Sequence, residues 1–201
     1  MNLILAPSYR LPVLIAAAPE SARVRFVEFF ASNIRNANTR RAYTRSTSEF
    51  LSWCESMGVI SLTTVQPLHV AAWIESRLRA ASAPTVKQEL AAIRHLSDWL
   101  VTAQAVPVNP AASVRGPRHS VRRGRTPVLD ASEARQILDA IETTSVVGLR
   151  DRALIGLMVF SFARIGAAVG MKGEDVYTQN RRLWVRLSEK GGKQHDMPCH
   201  H

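Results

Sequence analysis

Arg164 demands a chemical explanation. It follows Leu154–Ala163 (LIGLMVFSFA), a run whose only polar side chain is Ser161. An arginine at the end of so apolar a helix must face a partner or water, because an unpaired buried guanidinium is very costly. Two chemistries fit equally: a fork aimed at a phosphate from a buried base, or a cap on the last helix carbonyls. Lys190 sits in a second suggestive run, Glu189–Lys193 (EKGGK). Two glycines there predict a hairpin turn. A lysine at such a tip either enters a groove or stays solvated. His195, Cys199, His200 and His201 have metal-like spacing. No second half-site accompanies them, and adjacent histidines on a strand diverge, so no metal is assigned.

The charge points outward. Lys and Arg number 26 against 16 Asp and Glu, giving +10 and a pI near 10.7. Twenty-two of the 26 are arginine, whose planar fork matches phosphate. A genome rich in G and C would also raise that count. Five arginines, Arg115, Arg118, Arg122, Arg123 and Arg125, crowd into Val114–Arg125 (VRGPRHSVRRGR), with no acidic residue between Pro107 and Pro127. That stretch supplies +5 of the +10. A polyanion is the expected partner, and nucleic acid the commonest one.

The elements that must position these groups follow from periodicity. Pro19 can open a helix carrying Val24, Val27, Phe30 and Ala31, with Phe26 and Phe29 alongside. Asn38 and Thr39 are cap candidates for a second, with Tyr43, Thr47, Phe50, Leu51 and Cys54 on one face. Pro67 opens a third and Ser82–Pro84 a fourth, the latter burying Val86, Leu90, Ile93 and Leu100. Phe26, Phe29, Phe30, Phe50, Trp53, Trp73 and Trp99 fall at helical spacing and read as core. Four prolines between Pro107 and Pro127 forbid a packed helix there, so the stretch reads as a basic linker lying along phosphates. A second domain opens at Asp130 and Glu133 with a capping box, passes through the apolar helix, and ends in strands near Val176, Leu183–Leu187 and Gln194–Pro198.

Other classes recede. No apolar run spans a bilayer. Two cysteines make no disulfide framework and fit a reducing compartment. Leu11–Ala18 (LPVLIAAA) has the apolar core of a signal peptide, but its one preceding charge, Arg10, abuts the run. It reads as an arm or a strip packed on the first domain.

In order and spacing these pieces resemble the tyrosine recombinase, or phage integrase, family in its plasmid and transposon branch, over residues 20–201. NTRRAYTRSTSEFLSWC (Asn38–Cys54) and PTVKQELAAIRHLSDWLV (Pro84–Val101) resemble the second and fourth helices of its core-binding domain. Asn109–Leu138 is similar to its linker and the opening helix of its catalytic domain. Gly148–Met171 resembles the stretch ending in R-[IV]-[SG]-E, and Leu183–Pro198 the hairpin with K-G-x-K. The resemblance implies a mainly α fold: an arm (1–18), a four-helix SAM-like core-binding domain (19–104), the linker (105–126) and an incomplete α+β catalytic domain with a β-hairpin (127–201).

It also implies roles. Arg164 matches the first catalytic arginine, which grips the scissile phosphate. Lys190 matches the hairpin lysine, which protonates the departing 5′ oxygen, and Lys193 is a phosphate contact. Arg40, Arg41, Arg45, Lys87 and Arg94 join the linker arginines as DNA contacts. The partner implied is double-stranded DNA, with no cofactor, no metal and no membrane, and with dimers or tetramers on DNA for the full-length form. The location implied is the bacterial cytoplasm, at the nucleoid. Ala167 stands where the family carries an acid. The H-x-x-R box and the nucleophile lie downstream of the hairpin in the family, and Tyr9, Tyr43 and Tyr177 do not match that nucleophile. The expectation is that this polypeptide binds DNA but does not cleave it, as a truncated integrase or as a regulator occupying recombination sites. A metal nuclease built on the His/Cys tail is the contrasting reading, and it lacks a carboxylate pair.

Overall fold

The computed structural model describes residues 10–120, 128–189 and 191–199. Two compact units divide at residue 122.

The first unit is helical. α1 (Val13–Ala16) and α2 (Glu20–Glu28) lead into a π-helical turn, Phe29–Asn33. α3 (Ala37–Ser56), α4 (Pro67–Ala80) and α5 (Ala83–Thr102) follow. Prolines open α4 and sit in the first turn of α5, where their missing N–H costs nothing. Residues 13–16 are no loose arm: Leu14 and Ile15 are buried with the helical core. The π turn lets Phe26, Phe29 and Phe30 all face inward, with Phe26 and Phe29 edge-on to Phe30 at 5.1 and 4.9 Å. The cap of α3 is Asn36, not Asn38 or Thr39. Its Oδ1 accepts from the backbone N–H groups of both those residues, at 3.0 and 3.1 Å. α4 and α5 are tied by Arg77, whose Nη2 and Nε donate to the buried Glu89 carboxylate at 2.6 and 3.0 Å. The Arg77 guanidinium also lies 5.9 Å from the Trp73 ring centre. Burial pushes the Cys54 thiol up to about 12, with Glu55 adding to the shift. That thiol is therefore an inert core group.

The second unit holds α6 (Ala131–Asp139), α7 (Val146–Ser161), the short α8 (Ile165–Val169) and a three-stranded antiparallel sheet. Its strands are β1 (Val176–Gln179), β2 (Arg182–Ser188) and β3 (Gln194–Pro198), in that order. The expected capping box is present: Asp130 accepts from the Ser132 and Glu133 N–H groups, and Glu133 accepts from the Asp130 N–H. α7 begins eight residues before the apolar run, at a Ser145 cap that the sequence reading missed. Gly148 is obligatory in its first turn, because a Cβ there would lie 1.7 Å from the Glu142 carbonyl oxygen. Gln179 pairs with Arg182, which leaves the two-residue turn Asn180-Arg181, both at positive φ. At the other end Gly191 and Gly192 take φ of +83° and +78°. Ala163, Ala167 and Leu187 form a small buried cluster under β2.

Candidate nucleic-acid interface

Residues 105–117 are not the free linker expected from 105 onward. Val106, Ala111 and Val114 are buried with the helices of the first unit. The mooring is polar. The Asn109 side-chain amide donates to the Asp98 carboxylate at 2.6 Å and to the Arg94 carbonyl at 3.2 Å, and its oxygen accepts from the Ala111 N–H at 2.8 Å. Arg94 Nε donates to the Ala111 carbonyl at 3.0 Å and its Nη2 to the Val114 carbonyl. Arg94, expected as a DNA contact, thus also acts as a strut that holds the backbone at Ala111 and Val114. Beyond the mooring the chain emerges as Arg115–Ser120, with both arginines exposed. Lys87, Arg94, Arg118 and His119 line an open groove of about 560 Å³ with no carboxylate in its wall.

The α3 arginines divide in the same way. Arg40 spends Nε and Nη2 on the Ile34 carbonyl, at 3.1 and 2.8 Å, closing the exit of the π turn. It too is a structural residue. Arg45 pairs with Glu49 at 3.1 Å across one helical turn, on the exposed face. Such a pair contributes little and exchanges readily. Arg41 is exposed and has no hydrogen-bond or ion-pair partner among the described residues. Arg122, Arg123, Arg125 and Lys190 lie outside the described residues.

In the second unit Arg164 neither ends α7 nor caps its carbonyls. Phe162 turns the chain at φ +55°, and Arg164 becomes the extended N-cap residue of α8. Its carbonyl accepts from the Ala167 and Ala168 N–H groups at 2.8 and 3.1 Å. Its side chain is 75% exposed and donates through Nη1 to Glu189, whose side chain is 11% exposed. That hydrogen bond holds the Glu189 carboxyl below the usual range. Partial desolvation opposes it, while the Arg164 backbone N–H and the charges of Arg164 and His195 reinforce it. The Glu189 N–H donates to the Lys193 carbonyl at 2.7 Å, closing the hairpin turn. The fold therefore brings Arg164 to the residue that opens the predicted hairpin tip. Lys193 is exposed. Glu189 was invisible as a partner in the sequence, because 25 residues separate it from Arg164.

Ala167 carries no polar group and packs in the apolar cluster. On β2, Arg186 pairs with Asp196 at 2.9 Å and lies 5.2 Å from the Tyr177 ring centre, so Tyr177 is a packed sheet residue. No group of three or more His, Cys, Asp or Glu side chains within reach of a metal occurs among the described residues. His200 and His201 lie outside them. No helix among the described residues is long and apolar enough to cross a membrane.

Residues 24–104 match the phage integrase N-terminal SAM-like domain, and residues 127–201 match the phage integrase family domain that follows it. The chain belongs to the tyrosine recombinase family. Among curated recombinases it is 26% identical over 193 residues to tyrosine recombinase XerC of Xanthomonas campestris, covering 93% of this chain and 58% of that protein. To XerD of Corynebacterium glutamicum it is 29% identical over 172 residues, covering 81% of this chain and 55% of that protein. The chain thus spans little more than half the length of these recombinases. Its fold is that of XerH bound to a palindromic difH substrate, with TM-score 0.66 at 19% identity over 93% of this chain and 55% of XerH. A lambda integrase dimer bound to a COC′ core site matches with TM-score 0.64 at 19% identity, over 89% of this chain and 47% of that one. This recombinase chain therefore has the mainly α architecture expected from its sequence, a helical core-binding domain followed by a catalytic-domain portion with a small antiparallel sheet.

Proposed function

We propose that this chain binds double-stranded DNA as part of a site-specific recombinase, with the first unit as the clamp and the second carrying part of the phosphate-handling machinery. The observation that carries the reading is the moored basic segment. Arg94 and Asn109 fix the backbone at 109–114, so Arg115 and Arg118 are exposed beyond it, and Arg118 lines a groove free of carboxylates with Lys87. A pre-ordered strip of cations loses less conformational freedom when it meets a phosphate backbone. Arg41 adds an exposed cation on α3, and Arg122, Arg123 and Arg125 continue the strip in sequence. XerH and lambda integrase in complex with their DNA sites support the choice of duplex DNA over other polyanions.

In the second unit Arg164 grips the scissile phosphate. Its guanidinium provides donors for the non-bridging oxygens, where charge builds as the phosphorus becomes five-coordinate. Lys190 gives a proton to the departing 5′ oxygen, and Lys193 contacts a neighbouring phosphate. Strand exchange in the complete enzyme proceeds through a 3′-phosphotyrosine, which conserves the bond energy without a cofactor. Tyr43 packs edge-on against His95, 6.2 Å between ring centres, and Tyr177 packs against Arg186. Because none of Tyr9, Tyr43 and Tyr177 matches the family's nucleophile, the reading is that the 201-residue polypeptide by itself binds DNA without forming the covalent link. Assembly on DNA as dimers or tetramers follows the lambda integrase complexes.

The test is a fluorescence-anisotropy titration of the polypeptide with a duplex at several salt concentrations, run beside a nicked suicide duplex scored for a covalent adduct. Steeply salt-dependent binding with no adduct supports the reading. Salt-independent binding, or an adduct, overturns it.

A further inference from the structure

We propose that Glu189 is an internal competitor for phosphate: it occupies and neutralises Arg164 while DNA is absent, and Arg164 leaves it when a phosphate arrives. The inference rests on the assignment of Arg164 as a phosphate-binding residue and adds a control on that site.

Four observations carry it. First, Glu189 is the only hydrogen-bond partner of the Arg164 guanidinium among the described residues. Second, the pair is lopsided, with the arginine side chain 75% exposed and the carboxylate 11% exposed. Glu189 is the better-anchored residue: its side chain is nearly covered, its backbone N–H donates to the Lys193 carbonyl at 2.7 Å, and its carbonyl accepts from the Gly192 N–H at 3.3 Å. The arginine can therefore swing off without disturbing the turn. Third, a carboxylate and a phosphate present the same geometry to a guanidinium, two oxygens able to accept a fork. An arginine already bonded to one is a weaker receptor for the other. Fourth, Ala167, one helical turn along α8, lies in the apolar cluster and brings no second carboxylate that could take over Arg164.

Glu189 could instead hold Arg164 in place to receive phosphate from the other side. Magnitudes decide against that. A full negative charge in contact with the guanidinium lowers its anion affinity more than ordering one exposed arginine side chain raises it.

The experiment uses the whole 201-residue chain and inorganic phosphate as the probe. The side-chain Nε–H signal of Arg164 is followed by NMR, identified by its loss in R164Q. In the wild type the signal shifts with added phosphate. In E189Q, which keeps size and hydrogen-bonding ability but loses the charge, the midpoint is expected to fall to about one tenth of the wild-type phosphate concentration. A second reading needs no variant: the Glu189 side-chain carboxyl carbon of the wild type moves toward the shift of a free glutamate as phosphate saturates Arg164. An unchanged or higher midpoint in E189Q overturns the proposal, as does a carboxyl signal that stays fixed at saturation. In either case Arg164 still responds to phosphate, so the assignment beneath survives. A signal that responds to phosphate in neither protein removes the assignment and the proposal together.

Discussion

Replacing Arg94 with alanine separates the mooring of the basic segment from the contact that segment makes. Arg94 gives one hydrogen bond to the Ala111 carbonyl at 3.0 Å and another to the Val114 carbonyl, across 17 and 20 residues. Bonds from a charged donor contribute about 1.5–3 kcal/mol each, and the half-exposed position lets water recover part of that, so R94A is expected to cost about 2–3 kcal/mol. Urea denaturation of the polypeptide measures the total. Amide hydrogen exchange locates it. Protection should fall at Ala112 and Val114, whose N–H groups close turns on the Asn109 and Ala111 carbonyls at 3.3 Å each. The centre of α3 should keep its protection. DNA affinity should drop modestly while the slope of log affinity against log salt stays within about half a contact of wild type, because Arg94 neutralises no phosphate. A slope reduced by a full contact, about 0.9, with unchanged exchange at 109–114 would refute the strut and return Arg94 to the DNA surface.

Further expectations follow from single sites. E89A strands Arg77 at the α4–α5 contact; with Glu89 3% and Arg77 25% exposed, the loss falls toward the low end for a broken buried pair, about 3 kcal/mol by urea denaturation. G148A forces a Cβ to within 1.7 Å of the Glu142 carbonyl oxygen and should destabilise the second unit by about 1–3 kcal/mol, read as earlier loss of the α7 amides in hydrogen exchange, and an unchanged exchange pattern would exclude the clash. The Asp130 carboxyl is held below its usual range by hydrogen bonds from the Glu133 and Ser132 N–H groups and the Ser132 hydroxyl. Its folded value lies below its unfolded one, so the capping contribution is complete above the ordinary aspartate range and vanishes as pH falls through the depressed value. The Ser132 and Glu133 amides should therefore lose protection only in that acid window, and loss near neutrality would contradict the cap.

Much of this architecture was legible because local pattern dictates it. The faces built on Phe50, Leu51 and Cys54 and on Val86, Leu90 and Ile93 have the period of a helix, and they are buried. Asp130 and Glu133 announce their own helix start within four residues. The misses share one cause, which is that the deciding partner is distant or unpatterned. Arg94 looked like any other basic residue, since nothing near it in the chain marks Ala111 and Val114 as its acceptors. Those two apolar residues are isolated among prolines and arginines, so the segment they anchor read as linker throughout. The Asn180-Arg181 turn lacks the glycine that usually marks a two-residue hairpin. At the site, the type and position of Arg164 were evident from the apolar run before it. Its Glu189 partner comes only from the antiparallel return of the sheet.

The most direct test of the central claim is the salt dependence of duplex affinity for the wild type and for the variant R115A/R118A, measured side by side by fluorescence anisotropy. Both arginines are exposed beyond the mooring, and neither has a hydrogen-bond partner among the described residues, so the variant should fold as the wild type does. If the anchored basic strip lies along phosphates, the slope of log affinity against log salt should flatten by about 1.8, two contacts of about 0.9 each. An identical slope in the two proteins would contradict the account and move the DNA-binding surface away from this strip.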